Sequence, residues 1–595
     1  MTTIDYGIIV LYLILIIILG IVLEKKAARS IDSYFLGDRQ MPWWLLGVSG
    51  MVSNTDLAGT MVIAALIYSL GTKGLFIEIR GGLVLIMPFL MTFMGKWNRR
   101  ALVMTLAEWM EFRFGKGKEG KIARIMSAIA ILIFSIAALS YFSLAGGKFL
   151  GGFLGISDRY AAIILIILAL VYTVISGFYG VIWSDLFQAI LVFMAIMYIC
   201  TLAWQTVTIP ETIVVALPGS EELQSWSLEE WTRIIPPLTT DLQGDYAAFN
   251  LFGGVISFYL IKTILEGVSG QGGYMIQRYF AAKSDRDVGL LSLFWIILLS
   301  FRWPLVTAFA LLGIHYSNQV EMIRDPELIL PLVINTYVPT GIKGLIIACF
   351  MAAAMSTFDS LINSSAAYWV KDIYQAYLNP EANERQLLIQ SRLASIVIVV
   401  LGLILSFNLS NINDIWGWLT VGLGVGLAIP LLMRWYWWRF NGYGLAIGTA
   451  TGAIAAILTK MLVIPNLTSL QWQEYLLFLI PSLSSVTGCI LGTLLTPPPD
   501  LAVVENFYLQ TRPFGFWGKI RAKLSPVAVA KIKRENRRDI LATVIAIPWQ
   551  LVLFMMPVML MTRSWDNLGL LSLIFLLLSI ALYFTWFRYL DSTGT

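Results

Sequence analysis

PWWLLGVSGMVSNTDLAGTMVIAALIYSLG, Pro42 to Gly71, is apolar at both ends and polar in its middle. Ser53, Asn54, Thr55 and Asp56 stand between the apolar flanks, with Gly47, Gly50 and Gly59 nearby. Backbone in hydrocarbon must satisfy its own hydrogen bonds, so a break in a spanning helix is tolerated only where it lines a cavity or is buried in protein. A second segment has the same design. FNLFGGVISFYLIKTILEGVSGQGGYMIQR, Phe249 to Arg278, carries Lys262, Glu266, Gly267, Ser269, Gly270, Gln271, Gly272 and Gly273 in its interior. Glycine-interrupted helices at corresponding positions of two halves point to an inverted-repeat transporter. The site of such a protein lies near the bilayer midplane, where unwound backbone offers carbonyls to a cation and amides to an anion.

A third stretch supplies side-chain oxygens. In AAAMSTFDSLINSSAAY, Ala352 to Tyr368, the residues Ser356, Asp359, Ser360 and Asn363 follow i, i+3, i+4, i+7 spacing and share one helical face. Hydroxyls alone say little, because each can bond back to the preceding turn. A carboxylate at this depth must be paired, protonated or bound to a cation. Hard cations take oxygen ligands, and nothing here suits a softer metal: His315 is the only histidine, and Cys200, Cys349 and Cys489 lie far apart. Proton coupling through Asp359 or Asp185 is the other reading of the same residues.

The rest of the chain agrees with a membrane protein. Of its 595 residues, 58% are hydrophobic and 13% charged, about half the charge of a soluble domain, and the mean hydropathy is +0.77. About fifteen segments are long enough to cross the bilayer. They lie near 4–23, 42–70, 75–94, 122–144, 160–175, 183–204, 250–274, 288–314, 343–370, 393–407, 415–433, 444–463, 476–495, 540–561 and 568–588. Asp5 precedes the first run and Lys25 and Lys26 follow it, the reverse of a signal peptide. The N-terminus is therefore expected outside and the C-terminus inside. The loop bearing Lys96, Arg99 and Arg100, the loop bearing Arg278, Lys283 and Arg286, and the basic loop 496–539 then all fall in the cytoplasm. The acidic loop 205–249 falls outside. Loop 496–539 is expected to meet anionic lipid headgroups. The glycines of Gly422–Pro430 and Gly448–Gly452 are read as close helix packing rather than a phosphate cradle. No set of nucleophile, base and orienting group suggests an enzyme. No nucleic acid and no obligate protein partner is expected.

Four stretches together resemble the sodium/solute symporter family: SYFLGDRQMPWW (Ser33–Trp44), WSDLFQ (Trp183–Gln188), QRYFAAKSDRD (Gln277–Asp287) and MSTFDSLINSSAAYWVKDIY (Met355–Tyr374). The resemblance runs from about Asp5 to Leu495. It implies an all-α, LeuT-like core of two inverted five-helix repeats, within 42–249 and 250–440. An N-terminal helix and cytoplasmic loop (1–41) precede the core, and additional C-terminal helices (441–595) follow it. It implies a coupling sodium ion held by the carbonyls of Val52, Thr55 and Ala353 and the hydroxyls of Ser356 and Thr357. Asp185, Asp359 and Ser360 match a second cation site found in some members, with Asp359 in place of the usual small hydroxyl residue. Asn54, Asp56, Glu266, Ser300 and Arg302 are the candidate solute contacts. Arg302 is expected either to bind a solute carboxylate or to pair with Glu266 or Asp359. The expected function is sodium-coupled import of a small polar organic solute across the plasma membrane, leaning to a sugar. A sodium or solute sensor and a proton-coupled carrier are the alternatives.

Overall fold

The computed structural model describes residues 1–27, 31–270, 275–407 and 411–593. Eleven helices among them are long and apolar enough to cross a membrane, and one bent pair makes a twelfth. Three of the fifteen expected segments are not in this set. The first, 4–23, lies in the 25-residue helix α1 (Thr3–Ala27). Segment 75–94 is interrupted at Gly81 and Gly82: the short helices Thr72–Ile77 and Glu78–Arg80 precede the break, and helix resumes at Met87, with Pro88 in its first turn, and continues through Leu90–Met94. Segment 160–175 is the first part of a 49-residue helical element, Asp158–Thr206.

The bent pair is the quoted opening stretch. Helix α2 (Trp43–Asn54) ends at Thr55, whose backbone leaves helical geometry at φ −94°, ψ 46°. Helix α3 (Leu57–Leu70) then starts at an angle of 58°. Asp56 is its N-cap: the Gly59 N–H donates to Asp56 Oδ2 at 2.6 Å, and the Thr60 hydroxyl donates to the Asp56 carbonyl at 2.6 Å. Asn, Thr and Asp compete with the helix for their own backbone groups, so a run of them stops one helix and caps the next. α2 then continues along Asp285–Leu299, where a Cβ on Gly50 would lie 2.2 Å from the Trp295 ring.

Two further helical elements matter for the site: α4 (Lys118–Leu154) and α5 (Asp158–Thr206). In the second half, α6 (Phe252–Ser269) ends at Gly270 in left-handed geometry, φ +67°. The chain is helical again in α7 (Ile276–Phe280). Gln271, Gly272 and Gly273, expected in this interruption, lie outside the described residues. Next come α8 (Asp285–Leu299) and α9 (Arg302–Gln319), then α10 (Ile342–Ala367), which contains AAAMSTFDSLINSSAAY. α10 is buried on every side from Ile346 to Ala367, its polar face included. It lies against α1, α2, α4 and α5.

At the end of the second repeat, α11 (Gly424–Tyr436) touches α12 (Gly442–Leu458), which follows it, through glycine. A Cβ on Gly452 would sit 2.5 Å from the Gly426 carbonyl oxygen, so these glycines do serve close packing. Loop 207–249 contains a hairpin, β1 (Thr212–Ala216) paired with β2 (Leu223–Ser227) in antiparallel register Thr212↔Ser227. It docks at the end of α3: the Trp226 indole N–H donates to the Ser69 carbonyl at 2.9 Å. The basic 496–539 region is partly engaged inside the protein. Its Glu535 and Asp539 hold Lys96 at 3.1 and 2.5 Å, and Glu535 also holds Arg100 at 3.2 Å.

Candidate functional site

A cavity of about 220 Å³ lies beside the break between α2 and α3. Asn54, Asp56 and Gly59 line it from the break, Lys262 and Glu266 from α6, and Arg302 from the start of α9. Arg302 pairs with Asp56 at 3.2 Å, and its Nη1 donates to the Asn54 carbonyl at 2.8 Å. Neither expected partner, Glu266 or Asp359, is the one that holds it in this pair. Asp56 thus does two things: it caps α3 and neutralises the guanidinium. Glu266 pairs with Lys262 one turn earlier at 2.7 Å, and the Lys262 ammonium also donates to the Arg80 carbonyl. Ser300 is not among the lining residues; its hydroxyl donates to the Ile297 carbonyl at 2.7 Å.

Three donors on the cavity wall are buried and have no hydrogen-bond partner among the described residues: Arg302 Nε, the Tyr141 hydroxyl and the Ser127 hydroxyl. Buried polar atoms are nearly always paired, so unpaired ones around one cavity mark where a ligand or water completes the set. Tyr141 also stacks on Trp416 at 5.1 Å, giving the cavity an aromatic wall.

The oxygen-rich face of α10 meets α2 and α5. The Thr357 hydroxyl donates to the Ser53 carbonyl at 3.0 Å and to the Ala353 carbonyl at 3.2 Å. The Ser356 hydroxyl donates to Asp185 Oδ1, and the Ser49 hydroxyl donates to Asp185 Oδ2. Ser53 and Ser360 hydroxyls lie 2.9 Å apart. Val52 and Thr55 stand at the end of α2, where the Thr55 N–H reaches the Met51 and Val52 carbonyls at 2.9 and 3.0 Å. The Thr357–Ser53 contact sets Ala353, Ser356 and Thr357 of α10 against the end of α2, where Val52 and Thr55 lie on either side of Ser53 in the chain. Asp185 and Ser360 lie beside them, and Asp359 is fully buried on the same helix.

Arg278 is the residue that sequence reading misplaced. It was expected in a basic cytoplasmic loop, yet it is fully buried on α7 and reaches the seam. Its Nη2 donates to the hydroxyls of Ser49 and Ser53 at 2.7 Å and of Ser360 at 3.0 Å, and lies 3.4 Å from Asp185. The loop position of Arg278 hid this; a glycine-interrupted segment immediately before it was the available signal. Glu78 and Arg80 lie against the same cavity's α6 wall, two positions apart in the chain. They form a buried pair at 3.0 Å, with Arg80 donating to Asn413 at 2.5 Å.

Broken helices around a buried, charged cavity, next to a seam of hydroxyl, carbonyl and carboxylate oxygens, are the form of a membrane transporter. The sequence profile of the sodium:solute symporter family matches residues 34–452, and the chain belongs to that family. It is 23% identical over 504 residues to the high-affinity proline transporter PutP of Bacillus subtilis (strain 168), covering 81% of this chain and 96% of that protein. It is 23% identical over 546 residues to the sodium/glucose cotransporter of Vibrio parahaemolyticus, covering 86% and 95%. Among solved structures, the substrate-bound outward-open state of a Na+-coupled sialic acid symporter superposes with a TM-score of 0.64 at 21% identity, covering 84% and 99%. The fold is the LeuT-like 5+5 inverted-repeat core with further helices at both ends. The protein is a sodium-coupled solute transporter and not an enzyme.

Proposed function

We propose that the chain imports a small polar organic solute together with sodium by alternating access, the solute occupying the cavity at the α2/α3 break. The observation that carries this is the set of donors without a partner among the described residues, Arg302 Nε, Tyr141 and Ser127, around a cavity that also holds the Asp56–Arg302 pair. Donors call for a ligand rich in acceptor oxygens, and the Tyr141–Trp416 wall suits the face of a ring. A sugar or a related polyol meets both demands; a carboxylic or amino acid meets the first through Arg302.

Sodium binds at the carbonyls of Val52, Thr55 and Ala353 and the hydroxyls of Ser356 and Thr357. The contact between Thr357 and Ser53 supports this, because it already joins α10 to the end of α2, where the helix unwinds. An ion there clamps the two helices and favours the state that accepts solute. Solute closes the outer side, and inward opening separates the helices and frees the ion. Each ligand prefers the same conformation, so each tightens the other. Each sodium charge moving inward contributes ~2.3 kcal/mol per 100 mV before any concentration gradient.

The test is thermal stability of the purified protein with sugars, amino acids and small carboxylates, in sodium and in potassium. A solute that stabilises only in sodium identifies the class and shows coupled binding. Identical curves in the two salts throughout would overturn the reading. Ser356→Ala with Thr357→Ala should raise the sodium concentration for half-maximal stabilisation by about tenfold or more, the equivalent of ~1.4 kcal/mol of lost binding.

A further inference from the structure

We infer that the chain holds one anionic phospholipid in a basic pocket near its C-terminal end, where a helix passes from charged to apolar surface. The helix is α13 (Pro526–Met561), and the pocket is a cavity of about 260 Å³ between it and segment 508–521. The pocket lies wholly beyond residue 452, where the match to the family profile ends.

Three cations line this cavity: Arg521 from the preceding segment, and Lys533 and Arg537 from α13. Lys533 and Arg537 are four positions apart and share one face of the helix. No carboxylate lines the cavity among the described residues. The nearby carboxylates are engaged elsewhere: Glu535 and Asp539 hold Lys96, and Glu505 pairs with Lys523 at 2.6 Å. Arg521, Lys533 and Arg537 themselves form no ion pair among the described residues. Arg521 donates from Nη2 to the Gly515 carbonyl, while its Nε is buried without a partner among the described residues. A buried donor of this kind marks where a ligand supplies the acceptor. Three cations around one cavity call for an anion with several oxygens, and a phosphate group is the strong acceptor of that kind.

The surface beside the pocket makes that anion a lipid. Ile540, Leu541 and Val544 follow Arg537 at i+3, i+4 and i+7, on the same face of α13, and are 42%, 50% and 62% exposed. Ile540 also lines the pocket, together with Tyr508 and Phe514. Basic surface thus gives way to exposed apolar surface within two turns of one helix. A dissolved phosphate would use the charges and leave the apolar strip uncovered. A phospholipid meets both, its phosphate among the cations and its acyl chains along the strip. A zwitterionic headgroup would bring an ammonium to three cations with no carboxylate beside them, so the occupant carries net negative charge. Basic pockets beside spanning helices are where acidic headgroups bind. The lipid joins segment 508–521 to α13, which already holds Lys96 through Glu535 and Asp539.

The experiment titrates the purified protein in detergent with dioleoylphosphatidylglycerol and counts bound lipid by native mass spectrometry. Dioleoylphosphatidylcholine and inorganic phosphate are the comparisons. Wild type should retain one phosphatidylglycerol at concentrations where it retains no phosphatidylcholine. Lys533→Gln with Arg537→Gln should weaken that binding about thirtyfold, the attraction of two basic residues for a headgroup. Lys531→Gln with Arg534→Gln removes the same charge from the same helix outside the pocket, and should weaken it less than about threefold, because only screened attraction is lost. All four side chains are exposed, so both variants keep the fold. Equal losses in the two variants would show a general attraction of basic surface and overturn the site. Equal retention of the two lipids by wild type would overturn it as well. Inorganic phosphate that displaces phosphatidylglycerol at equal concentration would overturn the assignment to a lipid.

Discussion

Arg302 and Asp56 show what a single charged residue does in this cavity. The pair is 3.2 Å apart, with side-chain exposures of 3% and 13%. Removing one partner of a buried pair leaves the other charge uncompensated, which costs more than removing both. Arg302→Gln should lower stability by up to about 3 kcal/mol, at the low end of the usual range because Asp56 keeps some access to the cavity. Asp56→Asn combined with Arg302→Gln should recover most of that loss. Thermal unfolding followed by tryptophan fluorescence measures both. A double variant no more stable than Arg302→Gln would show that the pair is not the origin of the loss. The same residues explain a limit of sequence reading. Arg302 was visible as a candidate, but its partner was not: Asp56 lies 246 positions away, and Glu266 looked an equal choice.

At the scale of elements, local chemistry decided where helices stop and how closely they approach. The break after Asn54 was legible because Ser53, Asn54, Thr55 and Asp56 are poor interior residues and good caps. The failure of segment 75–94 to form one helix was not. Gly81 and Gly82 carry the signal, but the apolar residues around them dominate any hydropathy window. Glycine packing gives a direct test. On α12, a Cβ at Gly452 would sit 2.5 Å from the Gly426 carbonyl oxygen, and the obstacle is backbone that cannot swing away. Gly452→Val should destabilise by about 1–3 kcal/mol by forcing the helices apart. Gly569, in the helix Trp565–Thr585, has nothing within 4 Å of such a Cβ. Gly569→Ala should instead stabilise, by up to about 1 kcal/mol, through helix propensity. Comparing the two by thermal unfolding separates crowding from any general effect of replacing glycine.

For the molecule as a whole, the hairpin β1–β2 covers one end of the core and brings a pH dependence with it. Lys73, in the short helix after α3, donates to the Glu230 carbonyl at 3.3 Å and lies 3.7 Å from the centre of the Trp226 ring. Burial pushes its pKa down from 10.5 to about 8, with Glu230 working the other way. Between about pH 8 and 10.5 the docked state carries fewer protons at Lys73 than the released state. Docking therefore tightens as pH rises through that window, and below about 8 it is weaker by a constant amount. Lys73→Met should abolish the difference. Protease cleavage within 207–249, compared between wild type and Lys73→Met at pH 7 and pH 10, measures it. Wild type should be cut more readily than the variant at the lower pH, and the gap should narrow at the higher one. An equal gap at both pH values would show that Lys73 does not titrate in the docked hairpin.

What the amino-acid sequence determined alone was everything set by composition and near neighbours. That includes the apolar segments, the two interrupted helices, the hydroxyl and carboxylate face of α10, and the family resemblance those stretches carry. Each depends on residues within a turn or two of one another, so linear order exposes it. The tertiary structure decided which charges meet. Arg278 reads as a loop residue until the fold brings Ser49, Asp185 and Ser360 around it, the second of these 93 positions away. A guanidinium on a long, flexible side chain can reach several elements at once. Only the packed arrangement of those elements settles which carboxylate takes its charge.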